Sequence, residues 1–239
     1  MAPVARGLAG QFRIIEPLQR GSGGDRLTVM RHVADLHERV ESRGSARATL
    51  IGHSWGAMLA LAYAAAHPDR AGPLVLVGCG TFDPAARARM QATVQARLDN
   101  DMRERLARLP EDVPDPDERL QVLGDLILPL YSYDLLTNDQ EVIACDARAH
   151  QETWEDMVRL QEEGVYPAAF TAITSPILML HGAADPHPGR MIQARLKPHL
   201  PQLEYHEWER CGHSPWLERA VRDEFFAILR EWLGRHLTG

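Results

Sequence analysis

The sequence predicts an α/β fold: a doubly wound, mostly parallel sheet covered by helices on both faces and interrupted by an all-helical insertion. Three observations predict it. Short apolar runs alternate with helical patterns towards both ends of the chain, as parallel strands joined by helical crossovers require. The runs 48–51, 73–77 and 176–180 are apolar without alternation, as expected of strands buried on both faces. Between the last two, from about 82 to 170, helical patterns follow one another with no strand among them. The expected division is therefore a core from 1–81 and 171–239, with 82–170 as a helical cap.

Residues 12–16, Phe-Arg-Ile-Ile-Glu, read as the first strand, with a glycine-rich exit loop from Gln19 to Asp25. Leu27, Met30, Val33, Leu36 and Val40 then recur at three and four residues, the period of one helix face, and Gly44 is placed to end that helix. The run 48–51 is a strand and the alanine-rich stretch 57–66 its helix, stopped at Pro68; 73–77 is the next strand. Inside the insertion, Met90, Val94, Leu98, Met102 and Leu106 form one apolar ridge at a spacing of four. An acidic, proline-rich break follows at 110–116, then a second helix over 120–136, disturbed at Pro129. Asn138, with Glu141 three residues on, is an N-cap pair for a third helix running towards Gln161. Gly164 and Pro167 return the chain to the sheet, where 203–208 is the last strand and a helix from about Leu217 to His236 closes the chain.

The chemistry is concentrated at strand ends. Gly52-His53-Ser54-Trp55-Gly56 joins the run 48–51 to its helix. A serine on so sharp a turn has a strained backbone, for which Gly52 and Gly56 are expected to clear space. Its hydroxyl projects at the carboxyl end of the strand, beside the N–H groups of a helix N-terminus, where an oxyanion is stabilised. Serine needs a base, and the base an orienting acid. Asp185 in His181-Gly182-Ala183-Ala184-Asp185-Pro186 follows one strand, and His213 in Cys211-Gly212-His213-Ser214-Pro215 follows the next. The order Ser54, Asp185, His213 is that of a nucleophile elbow and its partners. His53 and His206 read as packing residues. A metal at His181, Asp185 and His187 lacks the regular one-face spacing of zinc helices, so no metal is expected. The loop Gly21-Ser22-Gly23-Gly24 fails as a dinucleotide fingerprint because position 26 is Arg26.

With these motifs the chain resembles the α/β-hydrolase superfamily and, within it, the proline-iminopeptidase-like group. Gln19-Arg20-Gly21-Ser22-Gly23, His67-Pro68-Asp69-Arg70 and Gly212-His213-Ser214-Pro215-x-x-Glu218 complete the likeness. The resemblance implies hydrolysis of an ester or amide through an acyl-enzyme, without a cofactor, and with the Trp55 N–H as one oxyanion donor. It also implies cap glutamates that hold a substrate amine, for which Glu152 and Glu155 beside Trp154 are the candidates. In the resembled fold, three strands and a His-Gly-Gly-Pro-Gly loop come before the Gln-Arg-Gly-x-Gly segment. Residues 1–10 then correspond to the helix after that loop, and the first strands are expected upstream of Met1.

Composition narrows the classes. A net charge of −7 argues against nucleic acid as the partner. Lys197 is the single lysine and sits before Pro198, which leaves Schiff-base chemistry without a good candidate. Cys79, Cys145 and Cys211 are widely spaced, as in a reducing compartment, and no apolar run approaches the ~20 residues of a membrane span. A cytoplasmic enzyme acting on a small ester, amide or short peptide is expected. An aminopeptidase releasing N-terminal proline competes with a carboxylesterase. A hydrolase-fold protein that binds a ligand with little turnover is the alternative from another class.

Overall fold

The computed structural model describes residues 1–44, 47–136 and 144–237. Helix α1 (Ala2–Leu8) opens the chain, followed by α2 (Val29–Glu41), β1 (Ala48–His53), α3 (Trp55–Ala66) and β2 (Ala71–Val77). Then come α4 (Pro84–Arg97), α5 (Asn100–Asp112), α6 (Pro116–Ile127) and α7 (Ala147–Glu162). The chain returns through β3 (Ile177–Gly182), α8 (Gly189–Leu196), β4 (Leu203–Trp208) and α9 (Arg222–Leu237). The four strands form one parallel sheet in the order β1-β2-β3-β4.

The period of two along the strands sorts the core into two layers. Leu74 and Leu76 of β2, with Ile177 and Met179 of β3, face a layer built with Val33, Leu61, Tyr63 and Ile192 from α2, α3 and α8. The alternate residues Val75, Val77, Leu178 and Leu180 face Val4 and Leu8 of α1 and Phe225, Leu229 and Trp232 of α9. Both faces of these strands are thus dry, which is why their sequences are continuously apolar.

Several expectations are corrected. Residues 12–16 are not a strand: no backbone ladder partner lies beside them among the described residues, and the sheet begins at β1. Phe12 and Ile14 instead pack on the layer that holds α1 and α9. The apolar ridge over 90–106 spans two helices. Leu98 leaves the helical region at φ −72°, ψ 122°, and Asp99 caps α5 by accepting the Met102 N–H at 2.7 Å. Pro110 lies within the last turns of α5 rather than in a break. The second predicted helix starts at Pro116, under an Asp115 cap, and ends at Ile127, where a 3-10 turn over Leu128–Tyr131 replaces its continuation. The third begins at Ala147 with Asp146 as N-cap; Asn138 and Glu141 lie outside the described residues. The closing helix begins at Arg222, after a 3-10 turn over Pro215–Leu217.

Helices α4 and α7 and the 3-10 turn after α6 contact the loops at the carboxyl ends of the strands. Gln161 of α7 donates to the Thr81 carbonyl beyond β2 (3.0 Å), and Arg97 of α4 donates to the Ala184 carbonyl beyond β3 (2.8 Å). The Tyr131 carbonyl accepts the His213 N–H beyond β4 at 2.7 Å.

Candidate active site

Ser54 stands between β1 and α3 with φ 53° and ψ −117°, alone in positive φ among the described non-glycine residues. Such a backbone costs of order 1–3 kcal/mol and persists only where the surroundings over-determine it. Here the Ser54 N–H donates to the Val77 carbonyl at 2.9 Å, and its own carbonyl starts α3 by accepting from Ala57 at 3.1 Å. The two flanking glycines differ. A Cβ on Gly52 would lie 2.1 Å from the Gly56 carbonyl oxygen, so the turn closes only without one. A Cβ on Gly56 meets nothing within 4 Å, which corrects the expectation that both positions clear space. Trp55 is the first residue of α3, so its N–H has no acceptor within its own helix and is available to an oxyanion. Its indole Nε1 donates to Gln19 at 3.0 Å, which lays the 19–24 loop beside the serine turn.

His213 follows β4, and its Nδ1 lies 2.6 Å from Oδ2 of Asp185, which follows β3. An ionised carboxylate only accepts, so Nδ1 carries the proton and Nε2 is left bare, the tautomer a general base requires. The side chain of Asp185 is fully buried. Burial opposes its charge, but the neighbouring His213 and hydrogen bonds from His181, His187 and His213 outweigh it and hold the carboxyl well below its ordinary range. The Ser54 side chain makes no capping hydrogen bond to α3, so its hydroxyl is not committed to the helix start. Gly78, at φ 51°, makes room for His213: a Cβ there would lie 2.7 Å from the His213 carbonyl oxygen and 2.9 Å from its Nδ1.

Around this trio, His53 keeps some exposed surface, but its ring is enclosed by those of His213 (4.5 Å) and Trp216 (4.7 Å). Burial first, and then the neighbouring His213, push its pKa well down, so it is a neutral packing group that hydrogen-bonds the His213 carbonyl at 3.1 Å. Tyr131 lies edge-on to His213 at 5.5 Å. His206 is on β4 with its ring edge-on to Trp208. Asp185, His187 and His213 bring their donor atoms within 4.8 Å of one another. Hydrogen bonds to the carboxylate account for both rings.

Glu152 and Glu155 lie on α7 and are engaged by the protein itself. Glu152 accepts the Leu27 N–H at 2.8 Å and Arg148 at 2.7 Å; Glu155 accepts Arg26 at 2.6 Å and Gln151 at 2.8 Å. With Asp156, which accepts the Val29 N–H at 2.8 Å, they fasten the start of α2 to α7. Both carboxylates expected to hold a substrate amine thus carry intramolecular partners in this structure. His187 and Gly78 are the site residues that motif reasoning missed. The signal for His187 was local, since an aspartate accepting the N–H two residues on is an ordinary turn device.

The alpha/beta hydrolase family profile matches residues 1–227. A 2-hydroxy-6-oxononadienedioate/2-hydroxy-6-oxononatrienedioate hydrolase of Paraburkholderia phymatum is 26% identical, over 84% of this chain and 69% of its own length. A proline iminopeptidase of Neisseria gonorrhoeae is 29% identical, over 71% of this chain and 54% of its own. Among solved structures, an esterase from Thermogutta terrifontis superposes with a TM-score of 0.63 at 21% identity, covering 98% of this chain and 85% of that one. With a match over nearly its whole length, and with the serine turn, parallel sheet and helical crossovers in place, this chain belongs to the alpha/beta hydrolase family.

Proposed function

We propose that this hydrolase-family chain is a serine hydrolase that opens a small carbonyl substrate, an ester or amide, through an acyl-enzyme on Ser54. The observation that carries the reading is the 2.6 Å contact of His213 with buried Asp185, in a chain whose serine turn has the strained backbone of a nucleophile. Ser54 Oγ attacks the carbonyl carbon while His213 Nε2 takes its proton. The Trp55 N–H receives the developing oxyanion, and Asp185 fixes the imidazole tautomer and stabilises its cation. Collapse of the tetrahedral intermediate expels the leaving group, which takes the proton from His213. Water then repeats the sequence on the acyl-serine. Residues 82–170 serve as a cap over this site, in line with their contacts to Thr81, Ala184 and His213. Free cysteines and the lack, among the described residues, of a helix long and apolar enough to cross a membrane support a cytoplasmic setting.

A second reading concerns the bond cleaved. The Paraburkholderia relative is named for a 6-oxo dienedioate, in which the group leaving the attacked carbonyl is carbon. The same triad serves that reaction if the proton returns to carbon instead of oxygen or nitrogen. The iminopeptidase reading draws support from the Neisseria relative, and it needs Glu152 or Glu155 to exchange its present partners, the Leu27 N–H and Arg26, for a substrate amine.

A fluorophosphonate probe tests the nucleophile, and chromogenic esters, prolyl anilides and a 2-hydroxy-6-oxo dienoate sort the substrate class. The wild-type chain is expected to label and Ser54→Ala not to. Asp185→Asn is expected to keep the fold and lose ~10⁴-fold in turnover through the wrong tautomer. Equal labelling of Ser54→Ala, or full turnover by Asp185→Asn, overturns the assignment.

A further inference from the structure

Three imidazoles, rather than one, point at the carboxylate of Asp185. Its Oδ2 accepts His213 Nδ1 at 2.6 Å, with His181 Nε2 at 3.2 Å. Its other oxygen, Oδ1, is met among the described residues by His187, which donates its backbone N–H at 2.9 Å and approaches with Nδ1 at 3.1 Å. The His187 ring stacks on that of His213 at 4.8 Å and 18°. Its own carbonyl accepts His181 Nε2 at 3.0 Å, so backbone and side chain are both held.

We propose that His187 is a positioning residue of the triad: its Nδ1–H fixes the Oδ1 edge of Asp185 and so keeps Oδ2 aimed at His213, while its ring limits the tilt of the imidazole. The inference rests on the serine-hydrolase reading above. A carboxylate turns easily about its last side-chain bond, and rotation carries Oδ2 off the His213 Nδ1–H. A backbone N–H alone holds one point. The second donor, from the ring, resists that rotation.

The surroundings suit a neutral ring. Burial holds His187 below the ordinary imidazole value despite the attraction of Asp185, with His213 and His181 adding to the lowering. Tyr131 from the 3-10 turn faces the ring edge-on at 5.7 Å, and Arg97 of α4 is bonded to the nearby Ala184 carbonyl. A neutral His187 whose single N–H is committed to Asp185 places no second cation against the imidazolium that forms on His213 in turnover.

The test compares two side chains of like shape. In His187→Asn the amide Nδ2 takes the place of the ring Nδ1 and keeps the donor; His187→Leu fills the same space without one. Leu is expected to lower kcat by about 10- to 100-fold with KM little changed, the cost of a small misplacement in a catalytic constellation. It is also expected to move the acid limb of kcat/KM upwards. An Oδ1 without its donor leaves more negative charge facing the imidazolium that forms in turnover. Asn is expected to stay within about 3-fold of wild type, with the wild-type profile, as befits retention of one neutral hydrogen bond. Equal losses in Asn and Leu, or a loss in neither, overturn the proposal. A second arm needs no turnover: in a Ser54→Ala background, the low-field proton resonance of the His213–Asp185 hydrogen bond is expected to weaken or shift with Leu and persist with Asn. An unchanged resonance in the Leu variant overturns the proposal even if the chain hydrolyses nothing, whereas failure of Ser54 to label bears on the hydrolase reading alone.

Discussion

At Gly52 an added methyl group would lie 2.1 Å from the Gly56 carbonyl oxygen, 2.3 Å from its carbon and 2.5 Å from the Ala57 nitrogen. All three are backbone atoms of the turn that presents Ser54, so none can move without opening the turn. Gly52→Ala is expected to destabilise by about 1–3 kcal/mol or more, the cost of overpacking against an unyielding neighbour, and to remove labelling of Ser54 by fluorophosphonate. Gly56→Ala is expected to be tolerated, or to stabilise by up to about 0.8–1.0 kcal/mol, since alanine is the better residue inside a helix and open space surrounds the site. Urea denaturation of the two variants separates these outcomes; equal destabilisation by both would contradict the geometry of the turn. A motif treats its glycines alike, whereas the close approach that forces one of them depends on the angle at which α3 leaves β1. The strand-end placement of Ser54, Asp185 and His213 was legible, while the need for glycine at position 78 depends on which loops the sheet order brings together. The contact of His187 with Asp185 is local, two residues along one loop, and lay outside the motif.

Elements were legible where a single chain segment decides them. The runs of β2 and β3 are apolar because both faces are covered by helices, and that pattern is complete within each run. Residues 12–16 have strand-like composition, but a strand is defined by its ladder partner, which no local pattern supplies. The ridge over 90–106 keeps its spacing across two helices because Asp99 breaks the backbone without breaking the apolar order. The joint between the inserted helices and the core rests on Glu218, a buried residue 1% exposed. Its carboxylate accepts the N–H groups of Tyr133 (2.8 Å) and Asp134 (2.7 Å) beyond α6, and that of Gly212 (2.9 Å) beside His213. Glu218→Ala leaves the buried Gly212 N–H without an acceptor, at a cost of about 1–3 kcal/mol, and frees two part-buried donors that solvent can reach, so a loss of about 1–3 kcal/mol or somewhat more in unfolding free energy is expected. Glu218→Gln, which retains one acceptor oxygen, is expected to fall between that variant and wild type. Denaturation midpoints read the ranking. An alanine variant within about 1 kcal/mol of wild type would mean that solvent or another side chain already serves those donors.

Across the whole molecule, histidines decide how stability responds to mild acid. Burial, first among the causes in each case, holds His32, His53, His67 and His187 below the ordinary imidazole value. In the unfolded chain these rings take up protons as pH falls through ~6.5, whereas in the folded chain they resist until lower pH. The unfolded state therefore binds more protons across that window, and each such group withdraws stability as pH drops from about 6.5 towards its folded value. His181 acts with the opposite sign. Burial opposes its charge, but the hydrogen bond and charge of Asp185 raise its pKa. Its contribution is fully present below the unfolded value and is lost as pH rises through the folded one. Asp185 itself is depressed, so its contribution holds above the unfolded carboxylate value of ~3.9 and drops out of the window that histidines control. Four lowered imidazoles against one raised imidazole predict a melting temperature that falls between about pH 7.5 and about pH 5.5 at fixed ionic strength. Calorimetry at the two pH values reads the sign. His32→Gln, which removes one buried titrating ring from the α2–α7 contact with Thr153, is expected to reduce the pH slope even if it lowers stability at both values. A melting temperature that holds or rises on acidification would mean that the raised His181 outweighs the four lowered rings, and that the fold tolerates their protonation.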